Sequence, residues 1–265
     1  AADVTPRLEC LHRGHDDDRD AAWARAEAAD VVGAIVPAVE PASWAKTLAC
    51  SRDGGRYAAL GVHPQYLPRL TAAALDDALA ALVTSARSSG PRVVAVGECG
   101  FDGSSDVFRA EASLQRRVFV AHVEAARALD LPLVVHVLKA HGEALAAMRA
   151  VTLPRRPGVI HSFSGGAELA REYLAMGWHL AMGGSVTRPN ARRPVEATRA
   201  VPAERLLIET DAPDQTPTGV AAGVRRCEPA HLALVARRVA EVRGERVEAL
   251  AAQTTANARA LFGLG

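Results

Sequence analysis

From Val31 onward, short runs rich in Val, Ile and Leu alternate with longer Ala-rich stretches in which apolar residues recur every three to four positions. The short runs are continuously apolar, as strands buried on both faces are, and this favours a parallel sheet covered by helices. They predict strands over Val31–Val36, Tyr57–Gly61, Val93–Gly97, Leu133–Val135, Val159–Ile160, His179–Met182 and Leu206–Ile208, with a weaker run at Leu8–Leu11. Between them, Leu114, Val118, Ala121, Ala125 and Leu129 mark one helix face, and Pro132 then forces the chain into the next strand. A second helix over Leu169–Met176 stops at Gly177, a natural left-handed cap. No repeat, low-complexity tract or linker divides the chain. The pattern predicts an α/β protein with one domain spanning residues 1–265: a closed (β/α)8 TIM barrel, or an open doubly wound sheet as the competing architecture.

Four of the apolar runs end in a residue able to ligate a metal: Glu98, His136, His161 and Asp211. In a parallel barrel the carboxyl ends of the strands open onto one face, so these side chains are expected to converge there. Each has a plainer explanation, a salt bridge for Glu98 or a hydrogen-bonded core imidazole for either histidine. Agreement at several strand ends points instead to a divalent ion (Mg, Mn or Zn), one or two in number, because carboxylates and neutral imidazoles are the donors such ions take. Asp211 can also accept a proton from water acidified by the ion.

Composition narrows the class. With 49% hydrophobic residues, 265 positions can bury one large core, yet no apolar stretch approaches the roughly 20 residues of a membrane helix. Cys10, Cys50, Cys99 and Cys227 are scattered singly, and no secretory signal is visible, so a reducing cytoplasm is the expected location. A net charge of +1 excludes a dedicated DNA-coating protein but leaves room for a local phosphate-binding cleft.

The ordered segments Gly61-Val62-His63-Pro64, Gly97-Glu98-Cys99-Gly100-Phe101-Asp102, His136 with Ala140, His161-Ser162-Phe163-Ser164-Gly165 and Glu209-Thr210-Asp211-Ala212-Pro213 resemble the successive signatures of the TatD family of metal-dependent deoxyribonucleases. Arg226-Cys227-Glu228-Pro229 and Thr255-Ala256-Asn257-Ala258 are similar to its C-terminal part. The resemblance implies a TIM barrel that cleaves DNA phosphodiester bonds with divalent ions. It further implies Glu98, His136, His161 and Asp211 as metal ligands, Glu98 as the bridge where two ions are bound, and His63 in phosphate binding or proton transfer. In the loops after the last strands, Arg188, Arg225 and Arg226 are candidates for substrate phosphate, with Arg192 and Arg193 beside them.

The resemblance breaks at the first strand, where the family carries Asp-x-His-x-His. This chain reads Glu9-Cys10-Leu11-His12-Arg13-Gly14-His15, and His12 and His15 would face opposite ways on a regular strand. Gln65 stands where a family histidine often recurs, and Lys139 stands near its usual Arg. The leading expectation is a DNA-cleaving hydrolase acting on ends or single strands, as a monomer and away from membranes. The alternatives are an amide, ester or lactone hydrolase of the same superfamily, and a catalytically weakened relative that binds DNA or a protein.

Overall fold

Strand and helix alternate along the chain as the apolar pattern requires. The structure, a computed structural model, describes residues 18–51, 55–221, 223–224 and 226–264. The run at Leu8–Leu11, His12, His15 and Arg225 lie outside the described residues. The regular elements are α1 (Arg19–Ala28), β1 (Ala34–Pro37), α2 (Trp44–Cys50), β2 (Arg56–Leu60), α3 (Ala72–Ser88), β3 (Val93–Asp102), α4 (Asp106–Ala110), α5 (Ala112–Leu129), β4 (Leu133–Leu138), α6 (His141–Arg149), β5 (Gly158–Ile160), α7 (Ala167–Ala175), β6 (His179–Met182), α8 (Arg192–Ala200), β7 (Leu206–Ile208), α9 (Leu232–Arg243) and α10 (Val247–Phe262). Their contacts cluster into two compact units, one of Pro37–Asp53 and Tyr57–Ile160, the other of Ala1–Val36, Gly54–Arg56 and His161–Gly265.

Within the Pro37–Ile160 unit, β2, β3, β4 and β5 pair in parallel in chain order. All ten residues of β3 are buried, which explains the continuous apolar run Val93–Val96 at its start. Two expectations need correction here. β3 runs five residues past Gly97, and β4 runs past Val135 to Leu138, so Glu98 and His136 lie inside strands rather than at their ends. A charged residue looks like a strand terminus in sequence. What carries β3 onward is Gly100 (φ +137°): a Cβ there would stand 2.1 Å from the His136 carbonyl oxygen, so only glycine lets the two backbones come this close.

The second correction concerns α5. Its buried face is Gln115, Val118, Phe119, His122, Val123, Ala125 and Ala126, turned by one position from the face that Leu114 and Ala121 suggest. Two polar residues, Gln115 and His122, face inward because each has backbone groups to satisfy, as described below.

In the other unit β6 pairs in parallel with β7, Leu180 opposite Leu206 and Met182 opposite Ile208. α7 ends as expected, with Gly177 in the left-handed region (φ +86°) and its N–H bonded to the Leu174 carbonyl. α9 packs on α10. From α10 the buried Asn257 donates to the carbonyls of Ala203 (2.6 Å) and Leu206 (2.8 Å), fixing the start of β7 and hence the segment Glu209–Asp211 that follows it. Among the described residues no helix is long and apolar enough to cross a membrane.

Candidate metal centre

Glu98 occupies an irregularity in the β3–β4 pairing: Gly97 lies opposite Val134 and Cys99 opposite Val135, so Glu98 is the extra residue of a bulge. Such a residue is released from strict alternation and its side chain is re-aimed. Its carboxylate is fully buried and accepts from the His63 ring, Nε2 to Oε1 at 3.1 Å, while Nδ1 of His136 stands 3.5 Å from the same oxygen. His63 and His136 meet edge to face with ring centroids 4.5 Å apart. Ligand atoms of His63, Glu98 and His136 all lie within 4.8 Å of one another.

The hydrogen bonds distinguish the two rings. The Gln65 backbone N–H donates to Nδ1 of His63 at 3.2 Å, so the neutral ring carries its proton on Nε2 and donates to Glu98. His136 is the same tautomer turned the other way. Its Nε2 donates to Asp102 Oδ2 at 3.0 Å, which leaves the Nδ1 lone pair directed to the Glu98 side. Two atoms bound to one ion at about 2 Å each stand roughly 3 to 3.5 Å apart, so Glu98 Oε1 and His136 Nδ1 fit a shared divalent ion. His63 is placed as a proton donor beside them.

Asp102 is the fixed point of this arrangement. Its carboxylate accepts from His136, from Gln65 Nε2 at 2.7 Å and from the Ser104 N–H at 2.7 Å. Its own backbone N–H and C=O are both taken by the Gln115 side chain, at 2.8 and 3.0 Å. Burial works to raise the carboxyl pKa, but the bonds from His136, Ser104 and Gln65 outweigh it and hold Asp102 well below the usual carboxylate range. A permanently ionised carboxylate behind an imidazole fixes the tautomer and raises its basicity toward a metal. Near the same strand, burial and the neighbouring His136 lower the pKa of His141 to about 4.

His161 and Asp211 belong to the other unit. Nδ1 of His161 lies 3.4 Å from Glu209 Oε1, both residues being buried. The Gln215 side-chain amide donates to both Ser162 Oγ and Asp211 Oδ2, tying the chain after β5 to the chain after β7. Ser162, Asp211 and Gln215 all sit at positive φ, 49°, 55° and 53°. Three non-glycine residues in the left-handed region within one small set is the kind of local strain that accompanies functional sites. Gly184 permits it, since a Cβ there would fall 2.0 Å from the Gln215 carbonyl oxygen.

The chain matches the TatD related DNase family over residues 9–263. It is 38% identical over 250 residues to an uncharacterized metal-dependent hydrolase TatD of Mycobacterium tuberculosis, covering 91% of this chain and 89% of that one. It is 36% identical over 255 residues to a 3'-5' ssDNA/RNA exonuclease TatD of Erwinia billingiae, covering 93% and 94%. The chain belongs to the TatD-related DNase family. It is a metal-dependent hydrolase. A solved TatD homologue, YjjV of Escherichia coli, superposes with a TM-score of 0.89 at 30% identity, covering all of this chain and 98% of that one. The fold class is accordingly α/β and TIM-barrel-like.

Within this TatD-family chain, Glu98, His136 and His63 come together as a group; in the other unit His161 lies beside Glu209, and Gln215 links Asp211 to Ser162. Arg188 is exposed. Arg226 is engaged with protein carboxylates: it donates to both oxygens of Asp18, at 3.1 and 2.5 Å, and to Glu228 at 2.6 Å, while Glu228 also pairs with Arg25. These bonds raise the Arg226 pKa further above its already high value. Sequence reasoning missed Asp102 and Glu209 as site residues. The signal for Asp102 was its place in the ordered segment Gly97–Asp102.

Proposed function

We propose that this protein is a divalent-metal-dependent nuclease that removes nucleotides from the ends of single-stranded DNA, and that Glu98 and His136 hold the ion. The observation that carries the reading is the His136 ring held between Glu98 and the ionised Asp102, an imidazole committed in tautomer and orientation. A bound ion supplies polarisation of a phosphoryl oxygen and lowers the pKa of water toward neutrality. The chain's own groups do the rest. Glu98 contributes a carboxylate oxygen that no water competes for, since it is fully buried. His63 donates its Nε2 proton to an oxygen, here that of Glu98, and during reaction to a phosphate oxygen of the substrate. His161 and Asp211 are retained as further ligands, and Asp211 as a proton acceptor, on the strength of their places in the ordered motifs. Arg188 is kept for substrate phosphate, whereas the ion pairs of Arg226 suit it to holding the chain after β7 against α1. The direction of digestion follows the relatives named 3'-5' ssDNA/RNA exonucleases.

The test is digestion of 5'-labelled single-stranded DNA by protein purified without chelator, with added Mn²⁺ or Mg²⁺. The expected result is a ladder shortening from the 3' end, abolished by EDTA and by Glu98→Ala. A metal-loaded protein that leaves DNA and RNA intact while hydrolysing a neutral ester or lactone would overturn the substrate assignment.

A further inference from the structure

His122 takes no part in the chemistry above, yet it is a fully buried imidazole on α5 with both ring nitrogens committed to backbone. The Val62 N–H donates to Nε2 at 3.0 Å, which requires the proton to be on Nδ1, and Nδ1 lies 2.7 Å from the Val118 carbonyl oxygen one turn earlier. The chain has by then left β2, whose last residue is Leu60, so Val62 needs a partner other than the strand ladder. Its neighbours are held in the same way by other elements. Trp44 Nε1 of α2 donates to the Gly61 carbonyl at 2.9 Å, and the His63 N–H donates to the Val39 carbonyl at 2.8 Å. This pinned segment presses on the backbone beside Glu98: a Cβ at Gly61 would stand 2.5 Å from the Gly97 Cα.

Seven residues earlier on the same face of α5, Gln115 clamps the Asp102 backbone through both its N–H and its C=O. Seven residues are two helical turns, about 10.5 Å. We infer that Gln115 and His122 are a pair of positioning residues by which one helix sets the separation of two site segments, Asp102 behind His136 and His63 against Glu98. The pair explains why α5 buries polar residues where the neighbouring Leu114 and Ala121 would fill the face with apolar ones. Burial keeps the His122 ring neutral, with its pKa lowered to about 4, as an acceptor facing an N–H requires.

This inference rests on the metal-dependent nuclease reading, and two arms of its test separate the two. The first needs no activity. In wild-type protein labelled with ¹⁵N-histidine, His122 is expected to show the neutral Nδ1–H form from pH 8 to 5, and the His63 ring signals are expected to shift in His122→Leu. The second arm measures kcat, KM and bound Mn²⁺ for His122→Leu and His122→Gln, the latter keeping an acceptor oxygen for Val62. A displacement of about an ångström costs on the order of 100-fold in rate. His122→Leu is therefore expected to lose tens of fold in kcat with KM and metal content little changed, and His122→Gln to recover most of it. A wild-type His122 that carries its proton on Nε2 or titrates near pH 6.5 overturns the inference, whatever the variants do. So does a His122→Leu protein with unaltered kcat and unaltered His63 signals. If wild-type protein digests no nucleic acid, the nuclease reading falls and the spectroscopic arm still decides the positioning role.

Discussion

In the Pro37–Ile160 unit the carboxylate that steadies a histidine stands on the neighbouring strand, and its backbone is clamped in turn by a helix side chain. In the other unit Glu209 and Asp211 follow β7 two residues apart, His161 follows β5 and lies beside Glu209, and a loop glutamine at positive φ joins Ser162 to Asp211. The nitrogens differ as well: His136 presents Nε2 to its carboxylate, His161 presents Nδ1. Groups carried on strands are held more rigidly than groups carried on loops. The strand set is thus the more rigidly held of the two.

The sharpest way to break this contrast is to compare Glu98→Ala with His161→Ala by metal analysis and DNA digestion. Both are expected to lose more activity than the roughly 10- to 100-fold that follows removal of an outer hydrogen-bonding partner. Glu98→Ala should also strip the metal more completely. A His161→Ala protein emptied of metal to the same extent, or either variant digesting DNA at the wild-type rate, would end the distinction or the ligand assignment.

A smaller effect compares the supporting residues. Asp102→Asn keeps the shape but places an amide N–H₂ among the donors from Ser104, Gln65 and His136, so one of them loses its acceptor. The expected cost is about 10- to 100-fold in metal affinity or rate. Gln215→Ala, which unties only the loop, should cost less, and should raise KM more than it lowers kcat. Equal losses in the two variants would show that loop and strand are held alike.

Much of this was legible in the residues. Continuous apolar runs located all seven described strands, His179–Met182 and Leu206–Ile208 to the residue. Glu98, His136, His161 and Asp211 stood out because a polar residue at or just past the end of a buried run has few structural uses. What hid was longer in range. The extension of β3 depends on Gly100 meeting the His136 backbone, a contact between residues 36 apart in sequence. Gln115 and His122 look like surface positions of an amphipathic helix until the backbone groups they satisfy are known. Arg226 looked like a phosphate ligand because its partner Asp18 lies 208 residues away. The first-strand departure at His12 and His15 lies outside the described residues, and its bearing on a second ion rests on sequence alone.

The smallest expected effect is on stability, and it isolates the buried helix histidine from the chemistry. Free in the unfolded chain, His122 protonates near 6.5; in the fold, burial lowers that to about 4. Between those values the unfolded state binds the proton and the folded state does not. The stabilisation that His122 contributes is thus complete above about pH 6.5 and is lost progressively as the pH falls toward 4. From pH 7 to 5.5 the loss should be about 1 kcal/mol. His122→Gln keeps an acceptor for Val62 and cannot titrate, so its urea midpoint should fall less than the wild-type midpoint over the same interval. His141, whose pKa is lowered in the same direction, remains in both proteins and cancels in the comparison. Parallel pH profiles for the two proteins would mean that His122 takes up its proton as readily in the fold as in the unfolded chain, and its bond to Val62 would have to be discarded.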